Sequence, residues 1–298
     1  MGYHDPVLLF ESVDGLEIKP EGVYVDVTFG GGGHSKEILS RLSKVGRLFA
    51  FDQDEDAQQN ALVDDRFQLI PQNFRHLQKF LRFYGVKEVD GILADLGVSS
   101  HQFDSSERGF STRFDADLDM RMDQASEITA RDVINTYEEE RLSNVLYQYG
   151  ELRNSRALAR EIVQARLIDP IQTSFRLKEV LGRFLPKSKE HKILAQIFQA
   201  IRIEVNGEMD VLKDFLLQTQ DVIKTGGRLS VISYHSLEDR LVKRYINNGV
   251  FEGEPEKDFY GNVDLPFKKV GKLIVPSKDE VIKNNRARSA KLRIAEKI

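Results

Sequence analysis

The sequence predicts an open α/β sheet interrupted by an inserted helical region. Three observations carry that prediction. Short β-rich segments alternate with helix-periodic segments over the first hundred residues. After residue 104 the β-rich texture stops and helical periodicity takes over. The strand–helix texture returns at Glu208. Such alternation places parallel strands in one sheet with helices on its faces.

Gly22–Thr28 (GVYVDVT) reads as the first strand, with a glycine run directly behind it. A helix is expected from Ser35 to Lys44, because Ile38, Leu39 and Leu42 fall on one face. Arg47–Asp52 and Phe67–Ile70 read as the next two strands, and Pro71 ends the second of them. Asn73 can cap a helix that carries Leu77, Phe80 and Leu81. Val89–Asp95 is the fourth strand.

Leu142, Val145, Leu146 and Tyr149 then repeat at helical spacing, as do Leu158, Ile162 and Val163. Ile197, Phe198, Ile201 and Val205 do the same. We therefore expect a helical insertion over 108–207, inside an α/β domain made of 1–107 and 208–298. Glu208–Lys224 reads as a helix ended by Gly226-Gly227, and Arg228–Tyr234 as the fifth strand. Gly249–Gly271 reads as a long loop, followed by late strands at Lys272–Val275 and Lys291–Ala295.

The chain has 298 residues, enough for one large domain or two modest ones. It contains no cysteine, which excludes disulfides, thiolate nucleophiles and cysteine-based metal centres. No apolar run reaches the ~18 residues of a membrane span, and the N-terminus lacks the pattern of a signal peptide. A cytoplasmic, soluble protein is the expectation.

The segment Asp26-Val27-Thr28-Phe29-Gly30-Gly31-Gly32-Gly33-His34 ends a strand and opens a helix. Glycines there let backbone turn tightly and approach a ligand, and the helix N-terminus offers free N–H donors. Asp52 ends the next strand, where an acid can accept both hydroxyls of a ribose. The dinucleotide fingerprint G-x-G-x-x-G fits poorly, because Ser35 or Lys36 stands where the third glycine belongs. The methyltransferase pattern D-x-G-x-G-x-G fits better, with only its first glycine replaced, by Thr28. Asn73-Phe74 and the loop from Asp95 to Gln102 follow the third and fourth strands, at the sheet edge where open α/β folds bind ligands. Phe74 is suited either to stack on an adenine or to fill the core. Asp95 is suited either to bind a ligand or to cap its own loop.

These segments run in order with ILADLGVSSHQFD, LDMRMD, YGELRNSR, FQAIRIEVNGE, GGRLSVISYHSLEDR and NNRARSAKLRIAE. Together they resemble the MraW/RsmH family over nearly the whole chain. The resemblance implies a Rossmann-like class I S-adenosyl-L-methionine methyltransferase sheet with an inserted helical domain for substrate recognition. It implies methylation of N4 of a cytidine in the decoding region of 16S rRNA, within the small (30S) ribosomal subunit. By position, Gly32, Gly33 and His34 match the cofactor loop, Asp52 the ribose acid, and Phe74, Asp95 and Gln102 the remaining cofactor contacts. Asp95 is also the candidate catalytic residue, as acceptor for the amine protons. No metal is implied, no membrane partner is expected, and a homodimer is left open.

Two other readings compete. One is a nicotinamide-dependent oxidoreductase, disfavoured by the imperfect fingerprint. The other is a non-catalytic RNA-binding assembly factor that retains the fold, disfavoured by the intact glycine–acid constellation. Ser236 and Asp239 fit a helix-capping box, and His235 fits either a turn or a base pocket. Asp117, Asp119 and Asp123 lack calcium-loop spacing and are expected to pair with Arg113 and Arg121. Phe103, Phe110 and Phe114 are expected to pack. The net charge of −4 hides local excesses of +4 over 176–192 and over 278–298, which suit phosphate contacts. Arg153, Arg156, Arg160 and Arg166 add a basic helix.

Overall fold

The computed structural model describes residues 6–98 and 108–298. Phe103 and Gln102 lie outside the described residues. The chain divides into two compact units, one of residues 1–97 with 209–298 and one of residues 98–208.

The first unit is built on seven strands: β1 (Val23–Asp26), β2 (Arg47–Phe51), β3 (Phe67–Ile70), β4 (Val89–Asp95), β5 (Ile223–Ser233), β6 (Phe267–Ile274) and β7 (Lys291–Lys297). Their order across the sheet is β3-β2-β1-β4-β5-β7-β6. The first five pair in parallel, while β7 runs antiparallel to both β5 and β6. The order reverses between β1 and β4, so the crevice at their carboxyl ends is the topological switch point.

Alternation along the strands sends side chains to two faces. Val25, Phe49, Phe51, Ile92 and Val231 form one face with Phe215 and Tyr245. Those two residues lie on α10 (Glu208–Val222) and α11 (Ser236–Asn248). Tyr24, Leu48 and Leu93 face the other way, against Val13 of α1 (Leu9–Asp14) and Ile38 of α2 (Gly33–Arg41). Burial of these strands on both faces is why they read as nearly continuous apolar runs.

Several boundaries differ from expectation. The helix after the glycine run starts at Gly33 and ends at Arg41, not Ser35 to Lys44. Strand β5 begins at Ile223, before the Gly226-Gly227 pair, and its register against β4 shifts between Val89 and Gly91. The expected loop 249–271 is shorter, because β6 already starts at Phe267. Phe267 packs against the Tyr245 ring, and β7 supplies the pairing edge.

The second unit has its own helical core. Its helices are α5 (Ala130–Thr136), α6 (Glu139–Gln148), α7 (Ser155–Arg166), α8 (Ser174–Val180) and α9 (Glu190–Asn206). Leu142, Leu146, Leu158, Ile162, Ile197 and Ile201 are fully buried together. Helix α5 starts with a reciprocal capping box between Thr129 and Asp132. Asn206, at the end of α9, clamps the LDMRMD segment: its amide donates to the Met120 carbonyl at 2.8 Å and accepts the Met122 N–H at 2.7 Å. That clamp holds Met120 at φ 59, a left-handed conformation that a methionine rarely adopts. Asp119 forms the expected pair with Arg121, in a two-pronged geometry of 2.8 Å on each prong. Phe110 is buried in this core and Phe114 is exposed.

Candidate functional site

The glycine turn follows β1. The Val27 N–H donates to the Leu93 carbonyl and the Phe29 N–H to the Phe51 carbonyl, so the chain stays in the sheet until Phe29. Gly30 and Gly32 then take φ of +50 and +74, where L side chains are strained. Their neighbours give the glycines different tasks. A Cβ on Gly33 would sit 2.1 Å from the Pro6 ring, and one on Gly32 would sit 2.9 Å from the Phe29 ring. At Gly30 no atom of the described residues, its chain neighbours aside, lies within 4 Å of that position. Gly32 and Gly33 are therefore required by the protein's own packing, and Gly30 is the glycine that leaves open space. Helix α2 starts behind the turn with no capping side chain among the described residues, and its first N–H groups point towards the turn.

Asp52 follows β2 and faces the turn. Its Oδ2 accepts the Gly30 N–H at 2.8 Å, and its Oδ1 accepts the Asp54 N–H at 2.9 Å. Each oxygen keeps one lone pair for a further donor. Burial pushes this carboxyl up to about 6, against the pull of the two N–H groups. Phe74 opens a short 3-10 turn after β3, and its partly buried ring meets Phe215 edge-on at 5.3 Å. The adjoining Asn73 donates to Gln53 at 2.7 Å, which ties this loop to the one carrying Asp52.

Asp95 is the last residue of β4, with its side chain 22% exposed. Its N–H donates to the Thr28 hydroxyl at 2.7 Å. Its Oδ1 accepts the Tyr234 hydroxyl at 2.7 Å, and its Oδ2 lies 3.8 Å from His34 Nδ1. Burial pushes Asp95 up to about 6, while His34 and the Tyr234 hydroxyl act in the opposite direction. His34 is buried on the first turn of α2, and its Nε2 is 3.2 Å from the Val7 carbonyl. With Nε2–H donating to that carbonyl, Nδ1 is left to face Asp95. Asp26 is fully buried beneath the turn, where it accepts the Ser35 hydroxyl at 2.7 Å and the Thr28 N–H at 3.1 Å.

The described residues thus bring together the glycine turn, His34, Asp52 and Asp95 at the head of the sheet, with Phe74 on the neighbouring loop. Sequence reasoning overlooked Tyr234, and took Gly30 only as one of the glycine run. Tyr234 reads as the end of an apolar strand, and only the sheet order places it beside Asp95. The capping box on α11 also falls one residue earlier than expected. His235 is the N-cap, and Glu238 reaches back to the N–H groups of Tyr234 and His235 at 2.8 and 3.3 Å. Asp239 instead binds Arg293 at 2.8 Å and Lys291 at 3.1 Å.

A mostly parallel sheet in this order, with a glycine turn after β1 and an acid after β2, defines a Rossmann-like class I methyltransferase fold. The family model of the MraW methylases matches residues 1–298, and the chain belongs to that family. It is 68% identical, over 100% of its length and 99% of the relative's, to ribosomal RNA small subunit methyltransferase H of Flavobacterium johnsoniae. It is 65% identical, with the same coverage, to the protein of that name from Christiangramia forsetii. Among solved structures, an rRNA methylase from Streptococcus thermophilus superposes with a TM-score of 0.44 at 14% identity, over 97% of this chain and 95% of that one.

Proposed function

We propose that this protein transfers a methyl group from S-adenosyl-L-methionine to N4 of a cytidine in the decoding region of 16S rRNA, acting in the cytoplasm on the small ribosomal subunit. The observation that carries this reading is the convergence of Gly30, Asp52 and the Tyr234-bound Asp95 at the switch point of the sheet. Membership of a methylase family, with relatives named for the small-subunit RNA, supports the substrate class.

The residues present fit the cofactor. The open space over Gly30 admits a nucleoside against the backbone. Asp52 keeps acceptor capacity for two ribose hydroxyls, and Phe74 offers a partly exposed ring for an adenine. Gly32, Gly33 and His34 shape the turn, and Gln102 is retained as a contact on the basis of its motif. When bound, S-adenosyl-L-methionine supplies an electrophilic sulfonium methyl.

The chain's own contribution is alignment and proton acceptance. Cytosine N4 is a weak nucleophile because its lone pair is delocalised into the ring, so holding it in line with the methyl is worth most. Asp95, ionised above about 6, accepts a hydrogen bond from the amine as positive charge develops there, and then the proton. Tyr234 fixes which way the carboxylate points. The base must be unpaired or flipped, since its amine is engaged when paired. The second unit, 98–208, is assigned to RNA recognition.

Incubation with undermethylated small subunits and labelled cofactor, followed by nucleoside analysis, tests the reading. It is expected to yield N4-methylcytidine. Label on another base would refute the substrate assignment, and no label would favour a non-catalytic binder.

A further inference from the structure

Outside the site just described, one notch on the first unit collects unpaired positive charge. Strand β6 is the edge of the sheet, so one of its sides has no strand partner. Its pairing with β7 goes from Val270↔Ile294 to Ile274↔Leu292, so four steps on β6 oppose two on β7. The extra residues bulge around Gly271, at φ +64. In a regular strand, residues 269 and 272 would project to opposite faces. Around the bulge both lysines line one notch, together with Lys243 and Asn247 of α11 and Arg293 of β7.

Ile246 and Ile294 line the notch beside these basic residues, and no acidic residue lines it among the described residues. Lys243, Lys269 and Lys272 are exposed and have no ion-pair partner among the described residues. Asp239 is the nearby acid, and it is already engaged by Lys291 and Arg293. Lysines on an edge strand protect it from pairing with other chains wherever they point. That role does not require them to converge with a lysine from a helix.

Part of the basic charge that the sequence singles out is compensated within the second unit. Over 176–192, Arg176 pairs with Glu179, Lys178 with Glu190, and Arg183 with Glu161. On α7, Arg160 faces Glu139, and Arg166 is spent on the carbonyls of Ile134 and Tyr137.

We propose that the notch lined by Lys243, Asn247, Lys269 and Lys272 binds backbone phosphates of the ribosomal RNA, and anchors the first unit on its substrate away from the reacting base. This rests on the functional reading above. Lysines bind phosphate as compact point charges, and their contacts carry affinity without base selectivity.

The test is binding of small ribosomal subunits across a salt series, by sedimentation, using full-length protein. A Lys243→Ala/Lys269→Ala/Lys272→Ala triple variant is compared with wild type. Lys268→Ala serves as the control, since Lys268 is exposed on the same strand but does not line the notch. The triple variant is expected to bind subunits about tenfold or more weakly, with the slope of log affinity against log salt reduced by about 2 to 3. Its melting temperature and its calorimetric affinity for S-adenosyl-L-methionine should match wild type. Replacement of the three lysines by arginine should restore binding. Equal subunit affinity and salt slope in triple variant and wild type would overturn the proposal. So would binding of wild type to anionic phospholipid vesicles but not to subunits. Failure of the functional reading shows separately, as wild-type protein that binds subunits at this notch yet transfers no methyl.

Discussion

The Tyr234 hydroxyl donates a 2.7 Å hydrogen bond to Oδ1 of Asp95, joining the ends of neighbouring strands β5 and β4. Burial and the facing carboxylate hold the phenol well above its usual range, so it remains a donor at every working pH. The Tyr234 ring also lies 3.3 Å from where a Cβ on Gly97 would be, so the turn after Asp95 closes directly over it. The carboxyl at the switch-point crevice is therefore set by a partner at the end of a strand, 139 residues further along the chain.

Tyr234→Phe removes the donor and keeps the ring. Because that hydrogen bond lowers the Asp95 pKa, its loss raises it. The acid limb of kcat/KM, expected near 6 in wild type, should move to higher pH in the variant. At neutral pH the rate should fall by roughly tenfold or more, the scale of a hydrogen bond to a charged group. A pH–rate profile that superposes on wild type would show that Tyr234 does not set Asp95.

Gly30 and Gly33 should respond differently to alanine. Among the described residues Gly30→Ala meets no neighbour, so it carries the strain of φ +50, about 1–2 kcal/mol. It should fold, melt a few degrees lower, and bind S-adenosyl-L-methionine poorly by calorimetry. Gly33→Ala drives its methyl into the Pro6 ring. It should lose packing of the N-terminal segment, seen as faster amide exchange around Val7 and Leu8, before any specific loss of cofactor affinity.

Asp52 holds its pKa at about 6, so its acceptor strength should depend on pH. Cofactor affinity should weaken as pH falls through about 6 and protonates the carboxyl. Asp52→Asn should bind about tenfold or more weakly at pH 8 and lose that dependence. The sign for stability is opposite. A carboxyl whose folded pKa is raised binds its proton more tightly in the folded chain, so its contribution to stability declines as pH rises from about 4 to about 6. Proton release on unfolding measured calorimetrically in that window checks the sign.

In the second unit, Arg121→Ala should destabilise by about 1–3 kcal/mol. It removes the two-pronged pair with Asp119 and the bonds to the carbonyls of Gln124 and Ser126. Burial would raise the Asp119 pKa, but the Arg121 hydrogen bonds outweigh it and hold the carboxyl below its usual range. The pair thus contributes above the ordinary carboxylate range and is lost as pH falls below it. The melting difference between variant and wild type should shrink towards pH 3.

Local pattern made the first four strands legible, because β-rich runs bounded by glycine and proline report burial directly. Helix α2 was placed two residues late because Gly33 reads as loop, although it occupies the first helical position. Strand β6 was shortened because Gly271 and its flanking lysines resemble a loop, and the pairing edge on β7 overrides that local preference. Asp52 and Asp95 were legible as acids at strand ends. Tyr234 was not, since its partner lies far away in sequence. Charge counts alone did not show which lysines are paired, for the same reason. The excess over 176–192 is partly compensated by Glu161 from another helix. Lys243, Lys269 and Lys272 converge only through a bulge that composition does not reveal.

Methyl transfer to a cytosine amine, with Asp95 accepting the proton, is checked by nucleoside analysis of undermethylated small subunits treated with wild type and with Asp95→Ala at saturating cofactor. Wild type should yield N4-methylcytidine, and the variant should form it at least a hundredfold more slowly. Full turnover by Asp95→Ala, or a methylated base other than cytosine, would contradict it.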